Sequence, residues 1–225
     1  MTKLSGLISF LFLFSIVNAN EHVKVSYNKN YEHHDHETYE VWYDVEYHNP
    51  AVVIWDLTFE DAIQSEAVND TRASKFTKCT NTVSSQVYTK TGYDRGHMCP
   101  NNDRDWSKES SENTFRMCNV TPQTSTLNRG RWKRWEEIGH ELAKKYMLVT
   151  IVCGPIYSND LKSEIWISDN DVPKVRVPDC FFKIFIVNNK IDSCWIFDQS
   201  GIQPKSVNIK EIEKQTGIAF EVVYK

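Results

Sequence analysis

The sequence predicts one α+β domain in which a mixed, largely antiparallel sheet packs against a long helix. Short β-rich runs bounded by turn residues occur along most of the 225-residue chain, and one stretch has the periodicity of an amphipathic helix. Hydrophobic residues make up 40% of the chain, with 7 Trp, 10 Tyr and 11 Phe, so a substantial core can form in one domain. The domain is expected to occupy residues 39–225.

The first 19 residues have the pattern of a secretory signal peptide. Lys3 precedes an apolar run at residues 7–17, and Val17-Asn18-Ala19 offers small residues at a cleavage site. We therefore expect residues 1–19 to be removed and the protein to be secreted or exported, to the extracellular space or the periplasm. An uncleaved anchor is the alternative. The sequence has no further apolar run of about 20 residues, so no membrane span is expected in the mature chain.

Residues 20–38 form a polar, histidine-containing segment ahead of the domain. A metal site at His33-His34-Asp35-His36 is one interpretation of this composition. A solvated leader is favoured, because the segment lacks the apolar framework that would fix a coordination geometry.

Two strands and one shorter element are predicted at the start of the domain. Tyr or Val recurs at every second position over residues 39–47, and residues 51–55 form a second β-rich run. The turn chemistry of His48-Asn49-Pro50 lies between these runs, which predicts a hairpin. Residues 59–67 are predicted to form a short helix or a loop.

The clearest helix in the sequence covers residues 127–146. Trp135, Ile138, Leu142 and Tyr146 recur at three- and four-residue spacing and form an apolar stripe. The remaining predicted elements are strands at residues 147–152, 180–187 and 193–197, a weak helix at residues 207–217 and a short strand at residues 219–224.

The charge of the chain excludes a protein that holds a polyanion by its net charge, because the formal net charge is -4. A nucleic-acid partner would have to meet a local basic patch. Arg129, Arg131, Lys133 and Arg134 supply such a patch, with a merely solvated helix face as the alternative interpretation.

Six cysteines lie after the predicted signal peptide, at positions 79, 99, 118, 153, 180 and 194. An even number in an exported chain predicts disulfides, and the sequence does not choose among the possible pairings. Their spacing contains no CxxC pair, which argues against a structural zinc site.

The segment TGYDRGHMCP, residues 91–100, carries the first candidate chemistry. Histidine is the usual general base near neutral pH, and His97 directly follows Asp94-Arg95-Gly96. Arg95 can bind a phosphate with a bidentate fork, and Gly96 permits close approach of a substrate. A structural histidine beside a surface arginine is the alternative.

A second group of candidate catalytic residues lies in the segment NVTPQTSTLNRGRWKRWEE, residues 119–137. Asn128 at the start of the long helix offers a neutral, hard oxygen ligand suited to Mg²⁺, and Asn is also a common helix N-cap. Glu136 follows about two helical turns later and can face the same site. Asn119, ahead of Pro122-Gln123, can orient that site.

Together these segments resemble the DNA/RNA non-specific endonucleases, the ββα-metal group that includes endonuclease G and the Serratia-type nucleases. The family pattern is a DRGH box, an Asn before a Pro-Gln pair, Leu-Asn-x-Gly-x-Trp and a helical Glu, and all of these occur here in order. The likeness extends over residues 39–198. It implies a ββα-metal active-site motif and a long helix that carries the metal ligand.

The resemblance also implies a role for each matching residue. His97 is similar to the family's general base, Asn128 to its single direct Mg²⁺ ligand, and Glu136 to a residue that acts through water on the metal. Asn119 matches a residue that helps to hold the site, and Arg95 matches the arginine of the DRGH box. Arg72, across a variable loop, is matched to the arginine that steadies the transition state. Cys118 stands where the family often has Ser, and it is expected to pair with Cys99 or with a distant cysteine.

The function implied is a Mg²⁺-dependent endonuclease, with Mn²⁺ as an alternative metal, that hydrolyses DNA and RNA without sequence preference to 5′-phosphate products. Arg95, Arg129, Arg131 and Arg134 are expected to bind the phosphates. A phosphodiesterase for another substrate and an inactive, exported nucleic-acid-binding relative are the alternatives. A nucleophilic role for Cys99 is disfavoured, since the metal chemistry needs no covalent step. The oligomeric state stays open, with a homodimer included.

Overall fold

The computed structural model describes residues 15–19, 23–67, 75–158, 164–170 and 172–223. Within these ranges the strands are, in chain order, β1 (Ser15–Ala19), β2 (Val23–Tyr27), β3 (Glu32–Asp35), β4 (Glu40–Asp44), β5 (Asn49–Thr58), β6 (Tyr93–His97), β7 (Val120–Thr124), β8 (Leu148–Ile156), β9 (Ile165–Asp169), β10 (Val172–Val177), β11 (Cys180–Val187), β12 (Lys190–Asp198), β13 (Lys205–Val207) and β14 (Ala219–Val222). The α-helices are α1 (Phe59–Ala67), α2 (Lys108–Thr114), α3 (Lys133–Tyr146) and α4 (Ile209–Thr216). No helix in the described ranges is long and apolar enough to cross a membrane.

A seven-stranded sheet in the order β13-β12-β11-β8-β5-β4-β3 forms the centre of the fold. Each pair of neighbouring strands in it is antiparallel. The predicted α+β class with a largely antiparallel sheet is therefore confirmed, as is the hairpin of β4 and β5. The central strands β5, β8 and β11 are buried along nearly their whole length, because both faces of the sheet are covered.

Helix α3 covers one face of the sheet and lies close to it. Trp135 on this helix is buried in the same core as Trp55, Ile151 and Phe185. Gly139 lies at the closest approach, since a Cβ atom there would stand 3.0 Å from Cδ1 of Ile151. The opposite face is covered by β2, β14 and α4, whose apolar residues form a second core.

The N-terminal segment differs from the solvated leader that the sequence predicts for residues 20–38. Val23, Val25 and Tyr27 of β2 are 0, 0 and 5% exposed, and β2 pairs with both β1 and β14. Strand β3 then forms the edge of the central sheet. The segment belongs to the fold because its apolar residues alternate and one face of β2 packs on the core. The predicted signal sequence lies mostly outside the described residues, and its removal stays a prediction.

A small ribbon and the helix after it form a ββα unit at one edge of the molecule. Strands β6 and β7 pair antiparallel, with His97 opposite Val120. Gly96 is required in β6 because a Cβ atom there would stand 2.2 Å from Oε1 of the buried Gln123. The predicted helix at residues 127–146 begins as a π-helix, Leu127–Trp132, and continues as α3.

The six cysteines form one disulfide. Cys79 and Cys118 are bonded, with their Cα atoms 5.8 Å apart. Cys99, Cys153, Cys180 and Cys194 are free thiols. Of the pairings considered for Cys118, the one with a distant cysteine is therefore found, whereas Cys99 is a fully buried free thiol and has no disulfide partner.

Candidate active site

An open cleft of about 880 Å³ lies where the β6–β7 ribbon meets the start of α3. His97, Asn128 and Glu136 all face it. The cleft is lined by Phe76, Tyr93, Asp94, Arg95, His97, Pro100, Asn101, Asn102, Phe115, Asn128, Arg129, Lys133, Glu136 and Glu137.

His97 is the last residue of β6 and is fixed from two directions. Its ring stands edge-on to Phe115 at 4.7 Å between centroids and lies 5.4 Å from the ring of Phe76. Its backbone carbonyl accepts a hydrogen bond of 3.1 Å from Nε1 of Trp132, which joins the ribbon to the helix. The imidazole is thus held between two aromatic rings in the wall of the cleft.

Asn119 lies beneath the cleft rather than in it. Its fully buried amide accepts a bond from the backbone N–H of Cys99 and donates to the carbonyl oxygens of Cys99 and Thr114, at 2.8 to 3.0 Å. These bonds pin the chain just after His97. The predicted role of Asn119 in holding the site stays a prediction.

Asn128 belongs to a polar group at the rim of the cleft, which we call the rim cluster: Asp94, Asn128 and Arg129. Nδ2 of Asn128 donates to Oδ2 of Asp94 at 3.0 Å, which leaves Oδ1 as the end of the amide that can accept. Arg129 donates to both oxygens of Asp94 at 2.8 Å. The hydrogen bonds from Arg129 and then Asn128 outweigh partial burial and lower the pKa of Asp94.

Glu136 projects from the first turn of α3 into the cleft. Burial of its carboxyl group raises the pKa of Glu136 to about 7, although the positive charge of Lys183 opposes this shift. Lys183 is itself buried in β11, with Nζ 4.0 Å from the ring centre of Trp132. A cation placed near Glu136 would favour the carboxylate form.

A second polar group lies under Glu136, and we call it the buried floor: Trp55, Asp103 and His140. Asp103 is fully buried and accepts bonds of 2.8 Å from Nε1 of Trp55 and from Nε2 of His140. Burial opposes the charged imidazole, but the hydrogen bond and charge of Asp103 outweigh it, so the pKa of His140 is raised. The sequence predicted none of these residues; the only local signal is the four-residue spacing of Glu136 and His140 on one helix face.

Of the four arginines predicted to bind phosphates, Arg95 and Arg129 line the cleft, and Arg131 and Arg134 do not. Arg95 lines it, but Nε and Nη2 donate to the carbonyl oxygen of Ser85 and Nη2 also donates to Thr89, so these donors hold a loop. Arg131 is not among the lining residues, and neither is Arg134, which pairs with Glu137 and Glu141. Their side chains lie on the outer face of the helical segment. Arg72 lies outside the described residues.

The chain is similar in sequence to known nucleases. A family profile described as DNA/RNA non-specific endonuclease matches residues 18–223. The protein named Nuclease EXOG, mitochondrial, of Danio rerio is 26% identical over 155 residues, covering 62% of this chain and 45% of that protein. Endonuclease G, mitochondrial, of Homo sapiens is 32% identical over 104 residues, covering 44% of this chain and 35% of that protein.

A structural comparison supports the fold. The chain superposes on a crystal structure of an EndoG/EndoGI complex with a TM-score of 0.70 and 22% identity, over 85% of this chain and 86% of the other. At that identity the likeness shows the fold alone.

The relatives correct the predicted location. The two relatives above and the Mitochondrial nuclease of Saccharomyces cerevisiae, 35% identical over 44% of this chain and 32% of that protein, are all mitochondrial by name. The prediction of a secreted or exported protein is therefore wrong: an apolar N-terminal run with a basic residue does not by itself identify the compartment. The matches span less than half the length of these relatives.

Proposed function

Since the chain belongs to the DNA/RNA non-specific endonuclease family, we propose that it hydrolyses phosphodiester bonds of DNA and RNA at the cleft, with a divalent metal. The observation that carries this proposal is the convergence of His97, Asn128 and Glu136 on one open, polar cleft. A general base, a neutral oxygen ligand and a carboxylate are the groups that metal-assisted hydrolysis requires.

The residues present fit Mg²⁺, with Mn²⁺ as the second choice. Asp94 holds the amide nitrogen of Asn128, so the amide oxygen is the end available to a hard cation. The carboxyl of Glu136 has its pKa raised by burial, and a bound cation would return it to the carboxylate form. When bound, the metal would stabilise negative charge on the phosphate and on the leaving oxygen.

His97 is proposed as the general base. It takes a proton from the water that attacks phosphorus, and the bond from phosphorus to the 3′ oxygen breaks, so the phosphate stays on the 5′ side. Phe76 and Phe115 hold the imidazole in place, and Asn119 fixes the backbone behind it. A base held by packing needs no reorganisation when the substrate arrives.

The substrate class follows from the charge and shape of the cleft. Lys133 and Arg129 line the cleft as exposed cations in a chain whose net charge is -4, and Arg129 is also paired with Asp94. Arg129 and Lys133 would meet phosphates rather than base edges, so cleavage with little sequence preference is expected on both DNA and RNA. The roles proposed for Arg95, Arg131 and Arg134 are smaller. Arg95 donates to Ser85 and Thr89 and Arg134 pairs with Glu137 and Glu141, while Arg131 does not line the cleft.

The test is hydrolysis of supercoiled plasmid and of a structured RNA by the full chain. With Mg²⁺ both substrates should be cut, a chelator should stop both reactions, and a ligase should rejoin the DNA ends without prior phosphorylation. Undiminished cutting in excess chelator contradicts the metal assignment. Ends that need phosphorylation before ligation contradict the proposed bond cleavage.

For the cellular location we propose the mitochondrion, since named relatives are mitochondrial. Chain synthesised in vitro and incubated with isolated, energised mitochondria should become resistant to added protease. Continued sensitivity, under conditions that protect a control precursor, contradicts this location.

A further inference from the structure

A second cluster of metal-binding side chains lies outside the cleft. His34, Cys79 and Cys118 each offer a ligand atom, and these three atoms lie within 4.8 Å of one another. His36 adds a fourth, with Nε2 3.2 Å from Sγ of Cys118. None of the four lines the cleft.

The fold brings these residues together from three separate segments. His34 lies in β3, and His36 is the first residue after that strand ends at Asp35. Their rings are stacked, with centroids 6.3 Å apart and planes inclined by 9°. Cys118 lies in a 3₁₀ turn, Met117–Asn119, and the chain near Cys79 is held to it through a bridge between Thr77 and Arg116.

Two imidazoles and two thiolates are a common ligand set for a closed, tetrahedral zinc site. Bonds of about 2.3 Å to sulfur at tetrahedral angles put ligand atoms about 3.8 Å apart, which small side-chain rotations can reach from the present spacing. The Cα separation of 5.8 Å between Cys79 and Cys118 does not require the backbone to move.

We propose that His34, His36, Cys79 and Cys118 bind one zinc ion when the Cys79–Cys118 disulfide is reduced. A phosphine reductant supplies the two electrons: the S–S bond breaks, two thiols form, and the phosphine becomes its oxide with oxygen from water. Each thiol gives up its proton to solvent on binding zinc. The oxidised protein, in contrast, has no thiolates at this position.

The Cys79–Cys118 disulfide and the proposed zinc ion would each stabilise the same part of the active site. Cys79 lies three residues after Phe76, whose ring contacts His97, and Cys118 directly precedes Asn119. The disulfide holds these segments together under oxidising conditions. Zinc would hold the same segments in a reducing compartment, so the packing around His97 would not depend on a disulfide.

The experiment uses the full chain, reduced by a phosphine and then passed over a desalting column after addition of Zn²⁺. Elemental mass spectrometry should find about one retained zinc ion per reduced chain and almost none per oxidised chain. With Co²⁺ in place of Zn²⁺, the reduced chain should show the visible absorption of a tetrahedral cobalt–thiolate site. A reduced chain that retains no zinc overturns the proposal.

Variants assign the ligands. Cys79→Ser and the double variant His34→Ala/His36→Ala should lose the retained zinc and the cobalt absorption. His33→Ala is the matched control, because this neighbour bonds instead to Glu40 at 2.8 Å, and it should retain both. Asn128→Ala should also retain zinc, which separates this site from the cleft. Equal retention by the ligand variants and the control, with all of them folded by circular dichroism, overturns the assignment even if wild type binds zinc.

Discussion

The rim cluster and the buried floor are both built around an aspartate, yet they differ in what surrounds it. At the rim, Asp94 bonds to Arg129, whose side chain is 72% exposed. In the floor, Asp103 bonds to Trp55 and His140 and has no exposure at all. Water screens the first group, so its contacts can exchange for a metal or a phosphate at little cost. The second group has no water to replace a lost partner, so its geometry is fixed.

From this contrast we expect the rim cluster to take part in catalysis and the buried floor to hold helix α3 in position. Helix α3 connects the two groups, since Glu136 faces the cleft while His140, one turn later, bonds to Asp103. A substitution in the floor should mainly change stability. A substitution at the rim should mainly change catalysis.

The largest effect is expected from Asp103→Ala. It leaves the indole N–H of Trp55 and the imidazole of His140 buried without their acceptor, and breaking such a buried pair costs about 3–5 kcal/mol. Urea unfolding followed by circular dichroism measures this loss. Asp192→Ala, on an exposed aspartate of β12, is the control and should change the free energy of unfolding little. Equal stability of the two variants would show that the buried floor does not stabilise the fold.

At the rim, Asn128→Ala should lower the rate of catalysis and leave the stability of the fold nearly unchanged. Loss of the proposed metal ligand should lower the rate of plasmid cleavage by about 100-fold or more, while the fold stays intact because the residue lies at the partly exposed rim. Cleavage rates are measured over a range of Mg²⁺ concentrations, together with the melting temperature. A variant that unfolds, or one that cuts at the wild-type rate, contradicts the division between rim and floor.

Glu136 lies between the rim cluster and the buried floor. Its raised pKa should make the stability of the protein depend on pH. Its folded pKa of about 7 exceeds the ordinary value of 4.5, so in metal-free protein the folded state binds the proton more tightly than the unfolded state. The free energy of unfolding of the wild type, relative to that of Glu136→Gln, should therefore fall by at most about 3 kcal/mol as pH rises from about 4.5 to about 7. Above that pH the difference should stay constant.

Denaturant unfolding in chelator at several pH values measures that difference. Added Mg²⁺ should shift the window to lower pH, since a cation favours the carboxylate. A stability difference that does not change with pH contradicts the buried environment assigned to Glu136.

The smallest effect on stability is expected from Asp94→Asn. The ion pair that it removes is largely solvent-exposed at Arg129, so the melting temperature should change by less than about 2 °C. The Mg²⁺ concentration needed for half-maximal cleavage should rise severalfold, because Asp94 no longer orients Asn128 as strongly. A large fall in melting temperature would place Asp94 with the floor instead.

The sequence predicted the residues that line the cleft far better than those of the buried floor. His97, Asn128 and Glu136 lie in two short motifs, so the sequence marks them even though the contacts between the motifs join residues 34 and 35 positions apart. Asp103 and Trp55 are 48 residues apart, and neither lies in a motif. Only the packing of the finished sheet against α3 brings them together.

The difference between clear local patterns and contacts distant in sequence also explains where the predicted fold was wrong. The central strands were predictable because long apolar runs are required where both faces are buried. Strand β2 has the alternating pattern Val23, Val25 and Tyr27, but over only five residues in a polar segment. The Cys79–Cys118 pairing joins residues 39 positions apart, and spacing alone does not select it.

We propose above that the cleft is a hydrolytic site with His97 as its base. The most direct test compares plasmid cleavage by wild type and His97→Ala at equal protein and Mg²⁺ concentrations. His33→Ala serves as a histidine control outside the cleft. We predict that His97→Ala cuts at least about 100-fold more slowly while keeping its circular dichroism spectrum, and that the control cuts at the wild-type rate. A folded His97→Ala protein that cuts as fast as wild type would contradict the account.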